Sequence, residues 1–194
     1  MASVAIVPAA GRGERFGGMK LAAMLRGEPL LSHTLRCLLD GGVEEIILVT
    51  GGTELSGVAL AADPRVRRVS NPDPARGMFS SIQAGVAEAS GDPILILPGD
   101  MPFVTADTVS LVLEAARLTG RIVSPRFEGR RGHPIAVPDR LREQILAAEP
   151  RTTLASILDQ HEADRHSVDV ADSGVLRDVD VVADLWPEKD KPSS

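Results

Sequence analysis

The sequence predicts an α/β fold organised around a mainly parallel sheet, and three observations carry that expectation. Short apolar runs alternate with amphipathic stretches along almost all of the 194 residues, the pattern of repeated β-α units. Ile94 to Leu97 is an unbroken apolar run, suited to a central strand covered on both faces. The first apolar run leads directly into a glycine-rich loop, and in open α/β sheets ligands sit beyond the carboxyl ends of strands. The length suits one such domain.

Ser3 to Val7 reads as the first strand, and the loop runs from Ala9 to Gly18. A helix follows from about Pro29 to Asp40, with Leu31, Leu35, Leu38 and Leu39 on one face, and Gly41-Gly42 stops it. Ile46 to Val49 is a second strand, Thr53 caps a short helix, and Val66 to Val69 is a third strand entering the turn Asn71-Pro72-Asp73-Pro74. Gly77 to Ala89 starts as a loop and continues as a helix. Ile94 to Leu97 ends in Pro98-Gly99-Asp100-Met101-Pro102. Thr105 caps a helix on which Val109, Val112, Leu113 and Ala116 keep helical spacing, and Gly120 ends it. Arg121 to Ser124 and Pro134 to Val137 read as strands flanking the loop Glu128 to His133, and Arg140 to Ala148 and Thr153 to Gln160 as helices. Ser167 to Val170 and Val175 to Val179 read as closing strands, and a polar tail begins at Pro187.

Composition narrows the function. A hydrophobic content of 43% with 25% charged residues supports a buried core and excludes a disordered chain. The apolar runs fall far short of the ~20 residues of a membrane span, and Met1 to Val7 lacks a signal-type segment. A soluble, cytoplasmic protein with no membrane partner is expected. The single cysteine, Cys37, excludes an internal disulfide and a Cys-rich zinc cage, and its apolar helical setting makes it a packed thiol. The net charge of −6 disfavours nucleic acid as a partner. Charge is uneven, however. Arg12, Arg15, Lys20, Arg26 and Arg36 crowd the segment Gly11 to Arg36, whereas Asp159 to Asp190 holds ten acids. That pairing suits a cleft where phosphates meet a metal ion, although solvated faces would look the same.

The strongest local signal is the run from Pro8 through Ala9, Ala10, Gly11, Arg12, Gly13, Arg15 and Phe16 to Lys20. Its glycines let backbone N–H groups approach a triphosphate, and Arg15 and Lys20 can neutralise the charge. A dinucleotide fingerprint fails, because Phe16 takes the third glycine position and Val49-Thr50-Gly51 offers no acid for a ribose. A Walker loop fails too, since Gly18-Met19-Lys20-Leu21 has no hydroxyl for magnesium. Asp100, just past the buried strand, faces the expected cleft and can hold a hard divalent cation, or merely cap a helix. In Asp178-Val179-Asp180 the alternation of a strand puts both acids on one side, where either one can reach the same cation or face solvent. Gly132-His133-Pro134 follows two arginines, and Gly77-Met78-Phe79-Ser80-Ser81 opens a helix with residues suited to phosphate or ring contacts. His161 and His166 are spaced wrongly for a shared metal on a helix, and no Gly-x-Ser-x-Gly elbow supports hydrolysis.

In this order the segments resemble the MobA-like NTP transferase family, and within it the molybdenum cofactor cytidylyltransferase branch. The matched positions are Ala9, Ala10, Gly11, Arg15, Phe16, Gly17 and Lys20, then Asn71, Gly77-Met78, Ser80-Ser81, Gly99 to Pro102, Gly132 to Pro134, and Asp178 to Asp180 with Asp184. The similarity covers nearly the whole chain, giving a single domain over residues 1–186 and a tail over 187–194. It implies a Rossmann-like three-layer α/β/α sandwich with a mixed, mainly parallel sheet, as in nucleotide-diphospho-sugar transferases. It also implies Mg²⁺ held by Asp100 and Asp180, with Arg15, Lys20 and Asp100 in the catalytic role. Ala9, Ala10, Gly11, Arg12, Gly13, Arg15, Lys20, Asn71, Gly77 and Asp100 would contact the nucleotide. Met78, Ser80, Ser81, Gly132, His133 and Pro134 would contact the acceptor.

The implied reaction transfers CMP from CTP to the terminal phosphate of a molybdopterin-type cofactor and releases pyrophosphate. Ala9-Ala10-Gly11 resembles the CTP-using branch, where guanylyltransferases read Ala-Gly-Gly. A molybdoenzyme or its chaperone would be the downstream partner. Pro8, Gly13, Val181-Val182 and Pro150-Arg151-Thr152-Thr153 depart from the branch pattern. These departures leave GTP, another phosphorylated acceptor, or a non-catalytic carrier of the cofactor as alternatives.

Overall fold

The computed structural model describes residues 2–11, 20–51, 55 and 57–185. Strand β1 (Val4–Pro8) lies at the centre of an eight-stranded sheet, parallel to β4 (Glu45–Thr50) on one side and β6 (Ile94–Ile96) on the other. Beyond β4, the parallel strand β5 (Val66–Ser70) forms one edge. Beyond β6 the direction reverses: β9 (Ile135–Val137) runs antiparallel both to β6 and to β7 (Ile122–Phe127). Strand β10 (Arg165–Asp169) closes the far edge parallel to β7, and the short β8 (Arg130–Arg131) folds back on β7. A separate hairpin pairs β2 (Met24–Leu25) with β3 (Glu28–Pro29).

Helices cover both faces. Ala5, Val7, Ile46, Leu48, Leu95 and Leu97 pack against α1 (Leu30–Asp40) and α3 (Ala106–Thr119). Val4, Ile6, Ile47, Val49, Ile94 and Ile96 pack against α2 (Met78–Glu88), α4 (Arg142–Ala147) and α5 (Leu154–Asp159). Strands sandwiched in this way are apolar at every position, which is why β1, β4 and β6 read as continuous runs. The expected three-layer sandwich with a mixed sheet is the observed architecture. No helix among the described residues is long and apolar enough to cross a membrane.

Local signals explain most boundaries. The Thr105 hydroxyl accepts from the backbone N–H of Thr108 at the start of α3, and Gly120 ends that helix at φ +63°. Three expectations need correction. Val175 to Val179 is not a strand: Ser173–Leu176 forms a 3-10 turn and the residues after it pair with no ladder. The helix expected over Arg140 to Ala148 begins as the 3-10 turn Asp139–Leu141 and becomes α-helical only at Arg142. His166 lies on β10, so the helical spacing argument for His161 and His166 does not apply. The cap expected at Thr53 lies outside the described residues.

Cys37 is buried on α1, and its thiol donates to the carbonyl of Thr34 at 3.2 Å. Burial, reinforced by the charges of Asp172 and Asp40, pushes the thiol pKa up to about 12. The folded protein is therefore expected to resist a thiol reagent such as DTNB at pH 8, with its one cysteine reacting fully in denaturant. Rapid labelling of the native state would contradict this burial.

Candidate active site

Three chain segments meet beyond the carboxyl ends of β1 and β6. The first is the glycine-rich loop leaving β1. Its described part places Ala10 and Gly11 on a small cleft of about 160 Å³ that Pro74, Gly77, Met78, Ser81, Pro98 and Asp100 also line. Arg12, Gly13 and Arg15 lie outside the described residues. Ala9 is turned away: it is buried, and its N–H donates to the carbonyl of Val49 at 2.8 Å.

The second segment carries Asp100. Gly99 donates its N–H to the Pro8 carbonyl at 3.0 Å, and its own carbonyl accepts from the buried hydroxyl of Thr34 on α1 at 3.0 Å. The loop is thereby fixed to both the first strand and the first helix. The third segment carries Asp178 and Asp180. Val179 is fully buried, and its N–H donates to the Asp100 carbonyl at 2.9 Å. Its neighbours on either side are exposed, so the expected alternation of facing holds without a strand. Two carboxylates brace this segment. One Asp184 oxygen accepts the N–H groups of Asp180 and Val181 at 2.8 and 2.9 Å, which holds its pKa below the usual carboxylate range. Asp172 accepts from the Thr105 N–H and hydroxyl, the Thr108 hydroxyl and the Gly174 N–H, tying the segment to the start of α3.

The segments join at Lys20. Its ammonium donates to Asp100 Oδ2 at 2.8 Å and to Asp180 Oδ1 at 3.0 Å. Burial alone would lower the lysine pKa, but the hydrogen bond and charge of Asp100, and then those of Asp180, outweigh it and raise the value. Asp100, Asp178 and Asp180 each offer a carboxylate oxygen, and these oxygens lie within 4.8 Å of one another. Hard oxygen donors at this spacing fit a divalent cation. The Lys20 ammonium, already seated between two of the carboxylates, is a cation standing in the same place. Asp178, which the sequence left undecided against Asp180, thus belongs to the cluster together with it.

A second, larger cavity of about 630 Å³ adjoins the first, sharing Gly77, Met78 and Pro98 with it. Its walls are mostly apolar, from Phe79, Ile82, Ile135, Leu154 and Leu158, and Arg76, Arg151 and Arg165 supply positive charge. His133 also lines it, and burial lowers the histidine pKa, so the imidazole is neutral at pH 7. The reversed strand explains how His133 arrives there. Because β9 runs against β6, with Ile135 opposite Ile96, the residues entering β9 sit beside those leaving β6. Gly77 adopts φ +88° at the junction of the two cavities, a conformation that favours glycine.

Several predicted contact residues also have structural work. The Asn71 amide nitrogen donates to the hydroxyls of Ser80 and Ser81 at 2.8 and 3.0 Å, and its oxygen accepts from the Asp73 N–H. All three side chains are buried; of the two cavities, Ser81 lines the smaller one, while Asn71 and Ser80 line neither. This cluster fixes the turn between β5 and α2. Gly132 and Pro134 line neither cavity. Gly132 packs against the backbone of Val175, where a Cβ would lie 2.3 Å from the carbonyl oxygen. Met78 and His133, two of the expected acceptor contacts, line the larger cavity, whereas its other walls come from segments as far apart as Arg76 and Arg165 that no sequence motif joins. Pro150-Arg151-Thr152-Thr153, where the sequence departs from the family pattern, lies along one of these walls.

Residues 5–166 match the MobA-like NTP transferase domain. The chain is 31% identical over 191 residues to the nicotine blue oxidoreductase of Paenarthrobacter nicotinovorans, covering 93% of each protein. It is 28% identical over 188 residues to the molybdenum cofactor cytidylyltransferase of Escherichia coli K12, covering 96% of this chain and 95% of that one. Among solved structures, a nucleotidyl transferase from Methanothermobacter thermautotrophicus superposes with a TM-score of 0.77 over 94% of both chains at 23% identity, a likeness of fold.

Proposed function

Because this chain belongs to the MobA-like NTP transferase family and is a nucleotidyltransferase, we propose that it transfers CMP from CTP to the terminal phosphate of a molybdopterin-type molybdenum cofactor. One observation carries the assignment of the site: Lys20, Asp100 and Asp180, drawn from distant parts of the chain, meet in direct contact beside the cleft formed by Ala10 and Gly11. The acceptor phosphate is already anionic and needs no general base. A bond forms from an acceptor phosphate oxygen to the α-phosphorus as the bond to the β-phosphate oxygen breaks, and pyrophosphate leaves with that electron pair. Lys20 neutralises the triphosphate and holds it in line, and Arg15 is assigned the same duty. Asp100 and Asp180, with Asp178, would hold Mg²⁺, which supplies charge neutralisation when bound.

The larger cavity supports a ring-bearing acceptor. Its apolar walls favour a flat heterocycle over a polyol, and Arg76, Arg151 and Arg165 suit anionic substituents. Ala10 supports the choice of CTP, since it lines the small cleft and a methyl at this position leaves less room for a larger base than glycine would. Ala10→Gly is expected to move the CTP-to-GTP ratio of kcat/KM toward GTP on the order of tenfold. An unchanged ratio would remove Ala10 from base selection.

The decisive experiment is a pyrophosphate-release panel, pairing each NTP with molybdopterin-type and sugar-phosphate acceptors in the presence of Mg²⁺. Release with CTP and the pterin alone supports the proposal. Preference for a sugar phosphate overturns the acceptor, preference for GTP overturns the nucleotide, and silence throughout favours a carrier. A parallel assay with NADH or NADPH and a quinone-type dye addresses the activity in the name of the 31%-identical relative. Against that activity, β4 ends in Val49-Thr50 without an acid for a dinucleotide ribose.

A further inference from the structure

The lysine assigned to the triphosphate sits on the carboxylates assigned to the metal. Lys20 Nζ is 2.8 Å from Asp100 Oδ2 and 3.0 Å from Asp180 Oδ1, and its side chain is 13% exposed. The three carboxylates converge within 4.8 Å, so the ammonium is the counter-ion that lets them lie so close. A divalent cation bound by these carboxylates at about 2.0–2.6 Å would stand close to that ammonium, like charge to like charge.

From this geometry we infer that Lys20 competes with the divalent cation for Asp100 and Asp180, and that it is handed from the carboxylates to the triphosphate as the cation enters. The inference rests on the nucleotidyltransferase reading of this site. The lysine stem is flexible enough to swing, and the phosphates are the anionic partner that rewards its leaving. A cation entering alone must push the ammonium off with no replacement partner, whereas a cation entering with a nucleotide provides one. Lys20 thereby makes cation and nucleotide bind cooperatively, each raising the affinity of the other by the same factor. The local comparison is Arg177, also a cation on the acidic segment. Its guanidinium stacks 4.1 Å from the centroid of Phe103 and forms no ion pair with the three acids among the described residues.

The test measures Mn²⁺ binding by electron paramagnetic resonance, without nucleotide, for the wild type, Lys20→Met and Arg177→Met. Lys20→Met is expected to bind Mn²⁺ on the order of tenfold more tightly, since the carboxylates regain their full charge, and Arg177→Met to change by less than about twofold. Equal affinity in wild type and Lys20→Met overturns the competition while leaving the metal centre standing. An equal gain in Arg177→Met also overturns it, by making the effect one of general charge. Absence of Mn²⁺ binding in all three proteins overturns both the competition and the metal reading. A second measurement needs no destabilising variant. The chain has three lysines, Lys20, Lys189 and Lys191, so the Lys20 ε-ammonium can be followed by NMR in lysine-labelled protein and assigned with Lys20→Arg. Its signal is expected to shift as Mg²⁺ is added, and a signal unmoved at Mg²⁺ concentrations that saturate the site overturns the inference.

Discussion

Asp100→Asn is expected to lower pyrophosphate release about 10³-fold, the scale of losing a principal electrostatic contact in a reaction that depends on charge neutralisation. The amide matches the carboxylate in shape, and the Asp100 side chain is 28% exposed, so little packing is lost. The backbone contacts that place the loop, from Gly99 to Pro8 and from Val179 to the Asp100 carbonyl, do not involve the altered group. Circular dichroism and the urea midpoint should therefore stay close to those of the wild type. Turnover within about tenfold of the wild type would remove Asp100 from the chemistry.

Gly132→Ala is expected to destabilise the fold markedly. The added Cβ would lie 2.3 Å from the carbonyl oxygen of Val175 and 2.8 Å from its carbon, so two backbone segments must separate. Those segments are already joined by the His133 N–H, which donates to the same Val175 carbonyl at 2.9 Å. Overpacking of this kind costs about 1–3 kcal/mol, offset only in part by the ~0.4–1 kcal/mol that alanine gains by restricting the unfolded chain. Urea unfolding measures the loss. Unchanged stability with weakened acceptor binding would return Gly132 to the ligand contacts.

Much of the sheet was legible because burial on both faces writes itself into β1, β4 and β6 as unbroken apolar runs. The helices followed from spacing and caps, as at Thr105 and Gly120. The β2–β3 hairpin was not legible, since strands of two residues leave no period to read. Val175 to Val179 misled for a related reason. Both valines are fully buried, which is what an apolar pattern reports, but their backbone groups bond to His133 and Asp100 instead of to a ladder. At the site, residue chemistry was readable and proximity was not. Lys20 meets acids 80 and 160 positions away, and only the folded topology makes them neighbours. Asn71, Ser80 and Gly132 were identified by motif, yet their polar groups and their space are taken up in holding the loops.

The reversal of β9 separates two design problems. Its pairing is set within the sheet, where Val137 lies opposite Ile94 and Ala136 opposite both Leu95 and Val123, while the connection between α4 and α5 lies outside the sheet. Exchanging Pro150, Arg151, Thr152 and Thr153, which line the chamber beside His133, would reshape it, while the loops after β1 and β6 keep their own backbone contacts. On the proposed reading, the chamber and the reaction centre can be altered separately, a starting point for redirecting the enzyme to a new acceptor.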